Sequence, residues 1–330
     1  MKITLDRIAK DLGTTKNTVS RALRGKPGVS DELRDKIVAL ASKYEYKKKK
    51  SVDQTPLKIT MVCNNAMQTD IFFWPTVMSG IFEYSAQHQI SINSVIVDML
   101  KDDIKGIMPL QEKNCDGILI VGTIPEPQFA RIAELSLPMV AADHYSDFVE
   151  CDYVNAANEN GIIKAVDFLF KKGHRKIGFV NNETAPYIHS LTKRYQGYVR
   201  RMNELRLTID PRFVLQNSSY ADPKYFAQQL NKLNGDAPTA WICANDLTAY
   251  NFSSVLVERG VRIPQDVSIV GFDNIPSVFP IQLTTLDIPP RKMGQHALAR
   301  LVRRINHPEE PFESIELLTR LVDKNSVQEI

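Results

Sequence analysis

Cysteine is scarce and scattered in this chain of 330 residues. Cys63, Cys115, Cys151 and Cys243 lie far apart, no C-x-x-C occurs, and the six histidines do not fall at metal-ligand spacing. This argues against a disulfide framework or a zinc site and suits reduced thiols in a cytoplasmic protein. No apolar run reaches the roughly eighteen residues that a membrane span requires. The opening stretch MKITLDRIAKDLG is charged every few positions and has no apolar core, so it does not read as a signal peptide. The glycine signatures of phosphate loops, dinucleotide folds and nucleophile elbows are missing too. No two carboxylates stand out as an acid/base couple, and Glu159 reads as part of an exposed helix face with Asn158 and Asn160. The expectation is therefore no enzyme, no catalytic residue, no metal and no cofactor, with each histidine solvated or internally satisfied.

What the chain does have is an uneven distribution of charge. Residues 1–50 carry 14 basic and 6 acidic side chains, a balance of +8, against 27 basic and 32 acidic, −5, in the remaining residues. A basic head on a mildly acidic body is the footprint of a polyanion-binding module fused to something else. The change of charge coincides with a change of pattern. Residues 1–46 predict three short helices. Thr4 opens the first, with Leu5, Ile8, Ala9 and Leu12 on one face and Gly13 ending it. Thr15 caps the second, which buries Val19, Ala22 and Leu23; Gly25-Lys26-Pro27-Gly28 is a turn. Ser30 starts the third, with Leu33, Ile37, Leu40 and Ala41 as its buried stripe.

Residues 47–56, KKKKSVDQTP, read as a lysine-rich linker. Beyond it, β-rich runs (57–63, 90–97, 117–121, 138–142, 176–181, 240–244 and 267–271) alternate with amphipathic segments such as 154–173 and 194–207. That alternation predicts parallel sheets with helices on both faces, and its length predicts two lobes. Ligands of open α/β sheets sit beyond the carboxyl ends of strands, so residues following those runs are candidates for a site.

Two helices joined at Gly13-Thr14 fit a helix-turn-helix, whose second helix enters the major groove. Its polar face presents Thr15, Lys16, Asn17, Ser20 and Arg21. Lysine and arginine suit guanine O6 and N7, asparagine suits adenine, and Thr14 and Ser20 suit phosphate. The stretch from Leu5 to Tyr46, with Thr18-Val19-Ser20-Arg21 and Gly25 to Ile37 at its centre, resembles the N-terminal domain of the LacI/GalR family of bacterial transcription regulators. The resemblance implies that Lys16, Asn17 and Arg21 occupy base-reading positions. It also implies a hinge segment after this domain that wedges leucine into the minor groove. Here that segment is Lys47 to Lys50 with Ser51 and Val52, and the next leucine is Leu57, so the hinge helix is expected to be absent or altered.

Stretches 115–121, 171–180, 243–250, 263–275 and 282–289 resemble further landmarks of the same family. They imply a two-lobed body of the periplasmic sugar-binding type with an effector cleft. Its first lobe is expected over about 57–158 plus 286–313, its second over about 159–285 plus 314–330. From its own surroundings Arg194 reads as a surface arginine in a helical ion pair; the resemblance implies that it clamps a ligand. Asp143, Asn245 and Asp273 follow strands and are implied effector contacts, while Asp246 reads equally as a helix cap. Within Ile71-Phe72-Phe73-Trp74, Phe72 and Trp74 are implied to cover a ligand face, with at least one aromatic of the three in the core. The expected protein is a homodimeric repressor of carbohydrate-utilisation genes, bound to a pseudo-palindromic DNA operator and released by a sugar. A purine or nucleoside corepressor, a protein effector and a stand-alone sugar-binding protein are the alternatives.

Overall fold

The computed structural model describes residues 5–23, 29–44, 56–64, 70–97, 115–181, 188–216, 222–276 and 281–330, without the side chains of Asp6 and Asp31. Two compact units divide at Thr55/Pro56. Thr4, the turn at 25–28 and the linker at 47–55 lie outside the described residues.

The first unit holds α1 (Leu5–Asp11), α2 (Lys16–Leu23) and α3 (Asp31–Lys43). The anticipated stripes converge on a core of Ile8, Ala9, Val19, Ala22, Ile37 and Ala41, flanked by Leu5, Leu12, Leu33 and Leu40. Gly13 ends α1 with φ +60°, a left-handed conformation that glycine adopts at no steric cost. Thr15 then caps α2, its hydroxyl accepting from the Thr18 N–H at 3.2 Å. Tyr44 donates to Asp11 at 2.8 Å and ties the end of α3 to α1.

The second unit holds two six-stranded sheets. The first lobe contains β1 (Lys58–Asn64), α4 (Phe73–His88), β2 (Ser91–Val97), β3 (Gly117–Val121), α5 (Glu126–Ala133), β4 (Met139–Ala142) and β5 (Asp152–Ala156). The second contains α6 (Asn158–Lys171), β6 (Ile177–Asn181), α7 (His189–Glu204), β7 (Val214–Gln216), α8 (Pro223–Lys232), β8 (Ala240–Cys243), α9 (Asp246–Glu258), β9 (Ser268–Asp273) and β10 (Thr284–Asp287). The chain returns to the first lobe through α10 (Pro290–Asn306) and β11 (Ser314–Leu317), then ends with β12 (Arg320–Val322) in the second. Strand order is β11-β5-β4-β3-β1-β2 in one sheet and β12-β10-β9-β8-β6-β7 in the other. Every pairing is parallel except β10 with β12. Continuous apolar runs such as GILIV, buried at all five positions of β3, form these strands because helices cover both faces.

Three boundaries differ from the sequence expectation. The segment at 154–173 is not one helix: its first residues complete β5, and α6 begins only at Asn158. Period-2 strand and period-3.6 helix run together there without a turn residue between them. The first lobe resumes after Asp287 rather than at 286, because β10 lies beside β9. Residues 314–317, expected in the second lobe, pair with β5 in the first. Edge strands of four residues leave too little pattern to assign a sheet.

Gly80 on α4 and Gly294 on α10 let these helices touch backbone to backbone. A Cβ at Gly80 would overlap the Arg291 carbonyl, and one at Gly294 the Val77 carbonyl.

Candidate functional site

In the head, the face of α2 opposite Val19 and Ala22 is polar. Thr15, Lys16, Asn17 and Arg21 are exposed and Ser20 is half-buried. The spacing follows from the helical period, since burying positions 19 and 22 turns 16, 17, 20 and 21 outwards.

In the body, Asp143, Asn245 and Asp273 stand at or just beyond the carboxyl ends of β4, β8 and β9, and Arg194 of α7 reaches Asp273 there. Arg194, in the second turn of α7, is buried rather than a surface arginine. Its Nε donates to Asn158 Oδ1 at 2.8 Å, Nη1 to the Ala244 carbonyl at 2.7 Å and Nη2 to Asp273 Oδ1 at 3.2 Å. Its guanidinium lies 3.7 Å over the Phe272 ring. A buried charge needs this number of partners, and the planar fork supplies donors in fixed directions.

Asp273 closes β9 and Asp143 follows β4, and both stand at positive φ, +110° and +51°. Such backbone strain in a non-glycine residue gathers at functional sites. Burial raises the pKa of each carboxyl above the ordinary range, against the pull of the Arg194 charge. Asp273 is further raised by the charges of Asp246, Asp70 and Asp143. Asp143 therefore lies within electrostatic reach of Arg194 across the two lobes.

Asn245, not Asp246, is the helix cap: its Oδ1 accepts from the Thr248 N–H at 2.8 Å. Asp246 instead accepts from Thr285 Oγ1 at 2.6 Å and from the Ile275 N–H at 3.0 Å, bracing α9 against β10. Burial lifts its pKa to about 7, although those hydrogen bonds and the charges of Lys324 and Arg194 oppose the rise. A folded-state value above the unfolded one means that the protonated acid stabilises the fold. That contribution is complete below the unfolded pKa and disappears as pH rises through the folded one. Melting temperature is accordingly expected to fall between about pH 4 and pH 7, and Asp246→Asn to flatten part of that slope. An unaltered pH profile in the variant would contradict this account.

The aromatic quartet divides. Phe73 enters the first lobe's core and meets Trp74 edge-to-face at 4.8 Å. Trp74 covers Gly122, where an added Cβ would sit 3.1 Å from its ring. Phe72 packs on the second lobe's cluster around Trp241 and Phe252, so it bridges the lobes. Asp70 holds the start of α4 by accepting from the N–H groups of Phe72 and Phe73 at 3.0 and 2.9 Å. Tyr145 and His189 make a second bridge, with ring centroids 4.8 Å apart.

Two residues here run against their sequence reading. Asn158, read as exposed, is buried and holds Arg194, since the start of α6 abuts the end of β5. His144, expected to be solvated or satisfied, is buried against Phe129 with neither ring nitrogen hydrogen-bonded. Burial, with the nearby charge of His189, drives its pKa down to about 3. The legible signal was position, two residues after β4. Glu159 is half-buried and paired with Arg200 at 3.0 Å. Among the described residues no group of histidine, cysteine or carboxylate side chains could hold a metal, and no helix is long and apolar enough to cross a membrane.

A family model described as bacterial regulatory proteins, lacI family, matches residues 4–49, and one described as a periplasmic binding protein-like domain matches residues 166–327. The head is thus of the lacI family of bacterial regulatory proteins and the body of the periplasmic binding protein-like type. It is 26% identical to a ribose operon repressor of Haemophilus influenzae over 98% of both chains. It is likewise 26% identical, over 98% of both, to the transcriptional repressor PurR of Pasteurella multocida. The lac repressor dimer, solved bound to operator and an anti-inducer, shares its fold with a TM-score of 0.71 at 19% identity, over 99% of this chain and 100% of the other. These relatives are transcription regulators, and the protein, with the same two parts, is a DNA-binding regulator rather than an enzyme.

Proposed function

We propose that the protein is a cytoplasmic, homodimeric repressor that binds a pseudo-palindromic operator through two heads and is released by a sugar. The observation that carries this reading is the cluster around Arg194. A buried guanidinium bonds Asp273 at the end of β9, and Asp143 at the end of β4 feels its charge from the other lobe. Carboxylates accept from sugar hydroxyls, arginine donates to them, and an aromatic face suits sugar C–H groups. Phe72, Trp74, Asp143, Arg194, Asn245 and Asp273 are the proposed effector contacts. Binding that prefers one angle between the lobes would shift the operator-competent state; a swing from 1:99 to 99:1 needs about 5.5 kcal/mol of differential affinity. The Haemophilus relative named for a ribose operon supports a sugar effector. The relatives named PurR support a second reading, a purine corepressor in the same cleft. A protein effector remains the reading for a cleft that takes neither.

In the head, Lys16, Asn17 and Arg21 are proposed to read bases, and Thr15 and Ser20 to fix register on phosphates. Operators selected from random duplexes should bind wild-type protein in a fluorescence-anisotropy titration and be released by one member of a sugar, sugar-phosphate and nucleoside panel. Asn17→Ala and Arg21→Ala are each expected to weaken the selected operator by about 1–3 kcal/mol and to relax the sequence preference at one position. Both side chains are exposed, so the melting temperature should stay put. Equal losses on operator and random DNA would remove these residues from base reading.

A further inference from the structure

The chain crosses between the lobes from β5 into α6, from β10 into α10 and from β11 into β12. One short assembly in the second lobe touches all of these crossings: Arg194, the end of β9 at Phe272 and Asp273, and Asn274 after it. At the first crossing, Asn158 opens α6 just beyond β5. Its Oδ1 accepts from Arg194 Nε at 2.8 Å, and its Nδ2 donates to the Ala156 carbonyl at 3.1 Å. At the second, Asp287 closes β10, and its Oδ1 accepts from Asn274 Nδ2 at 3.1 Å. Asn274 is fixed in turn, since Lys324 Nζ donates to its Oδ1 at 2.5 Å and its own N–H donates to Thr285 Oγ1 at 3.3 Å. These bonds hold successive residues at positive φ, +110° at Asp273 and +53° at Asn274. At the third crossing, Thr319 joins β11 to β12, and its carbonyl accepts from Lys164 of α6 at 2.7 Å. The wholly buried Phe272 ring lies 3.7 Å beneath the Arg194 guanidinium and also abuts Gly161 of α6. A Cβ at Gly161 would sit 2.6 Å from that ring and 3.0 Å from Thr319 Oγ1. Arg320 links the second and third crossings by donating to Asp287 Oδ2 at 3.4 Å.

Lobes swing through φ/ψ changes at their crossings, and side chains bonded to the flanks of a crossing limit those changes. We propose that Phe272 and Asn274 are positioning residues that set the angle between the lobes by joining the Arg194–Asp273 pair to the crossings. Neither needs to touch an effector. Their part in operator release rests on the proposed effector cleft, whereas their hold on the lobes does not.

The test is the distance between spin labels on the two lobes of the full, unliganded chain, read by pulsed electron–electron double resonance. The exposed positions Glu134, after α5, and Lys224, on α8, are changed to cysteine, and Cys115→Ser leaves only buried native thiols. Labelled subunits are diluted with unlabelled protein so that distances within one chain are measured. Wild type should give one narrow distribution. Asn274→Gly removes the side chain but keeps a backbone that glycine adopts freely, and should broaden or displace the distribution. Gly161→Ala drives a methyl against the Phe272 ring and should displace it. Asp152→Asn weakens the first lobe internally; it should melt lower yet keep the wild-type distance, which separates positioning from general loss of stability. Arg194→Met combined with Asn274→Gly should broaden the distribution no further than the broader single variant, because both break one connection. A wild-type distance in either folded glycine-site or Asn274 variant overturns the proposal, as does a broad distribution in wild type. Additive broadening in the double variant, or equal broadening in Asp152→Asn, overturns it too. Should Gly161→Ala fail to fold, Asn274→Gly decides. Failure of every sugar and nucleoside to release operator would sink the effector reading and leave the distance result standing.

Discussion

Arg194→Ala is expected to lower the unfolding free energy by roughly 3–5 kcal/mol and to abolish release from operator by any effector. The size comes from what is left behind. Removing the guanidinium orphans Asn158 Oδ1, the Ala244 carbonyl and, above all, Asp273, whose carboxyl is buried among three other acids. An acid stranded in low dielectric protonates or draws in water, and either response loosens the joint between α7, β8 and β9. Urea melts read the stability loss directly. A second variant separates stability from recognition: Arg194→Met combined with Asp273→Asn removes both charges and should recover much of the stability. That variant should still fail to respond to ligand, because neither the donor fork nor the acceptor remains. A single variant costing under about 1 kcal/mol would show that the guanidinium is not the keystone of this site.

A loss of similar size is expected far from the cleft, at Asp152 on β5. Its side chain is wholly buried between Arg300 and Arg304 of α10. Oδ1 accepts from Arg300 at 2.9 Å and from the Glu313 N–H at 2.8 Å, while Oδ2 accepts from Arg304 at 2.8 Å. Burial alone would raise this carboxyl's pKa. The hydrogen bonds from Arg304, the Glu313 N–H and Arg300 override burial and hold it below the ordinary value. Asp152→Ala leaves two nearly buried guanidinium groups facing each other, and the expected cost is about 3–5 kcal/mol. Asp152→Asn should cost less, since the amide oxygen still accepts. The pH dependence has the opposite sign to that of Asp246. A depressed carboxylate stabilises above its unfolded pKa and loses that contribution as pH falls through the folded one. Acid melts of wild type should therefore be steeper than those of Asp152→Asn, and parallel curves would rule the pair out as the acid-labile element. Asp152 on β5 and both arginines of α10 belong to the first lobe, so this cluster braces that lobe's sheet against its helix.

The sequence alone determined whatever depends on near neighbours along the chain. Helical period and caps placed the three head helices, and the same period put Lys16, Asn17 and Arg21 on the outer face of α2. Apolar runs bounded by turns located most parallel strands, and their carboxyl ends pointed to Asp143, Asn245 and Asp273. Tertiary structure decided what depends on partners distant in sequence. Arg194 looked like a surface arginine because its neighbours Lys193 and Tyr195 reveal nothing of Asn158, Ala244 and Asp273, each remote along the chain. The capping role passed from Asp246 to Asn245 because Thr285 and the Ile275 N–H compete for the aspartate. The short strands β11 and β12 were allotted to opposite lobes by sheet edges that their own residues do not encode. Local pattern is written by a residue's own backbone preference and by burial, which repeat with a fixed period. Charge pairing and cross-lobe packing depend on side chains brought together by loops and crossovers, and a single chain's pattern carries no record of those distances.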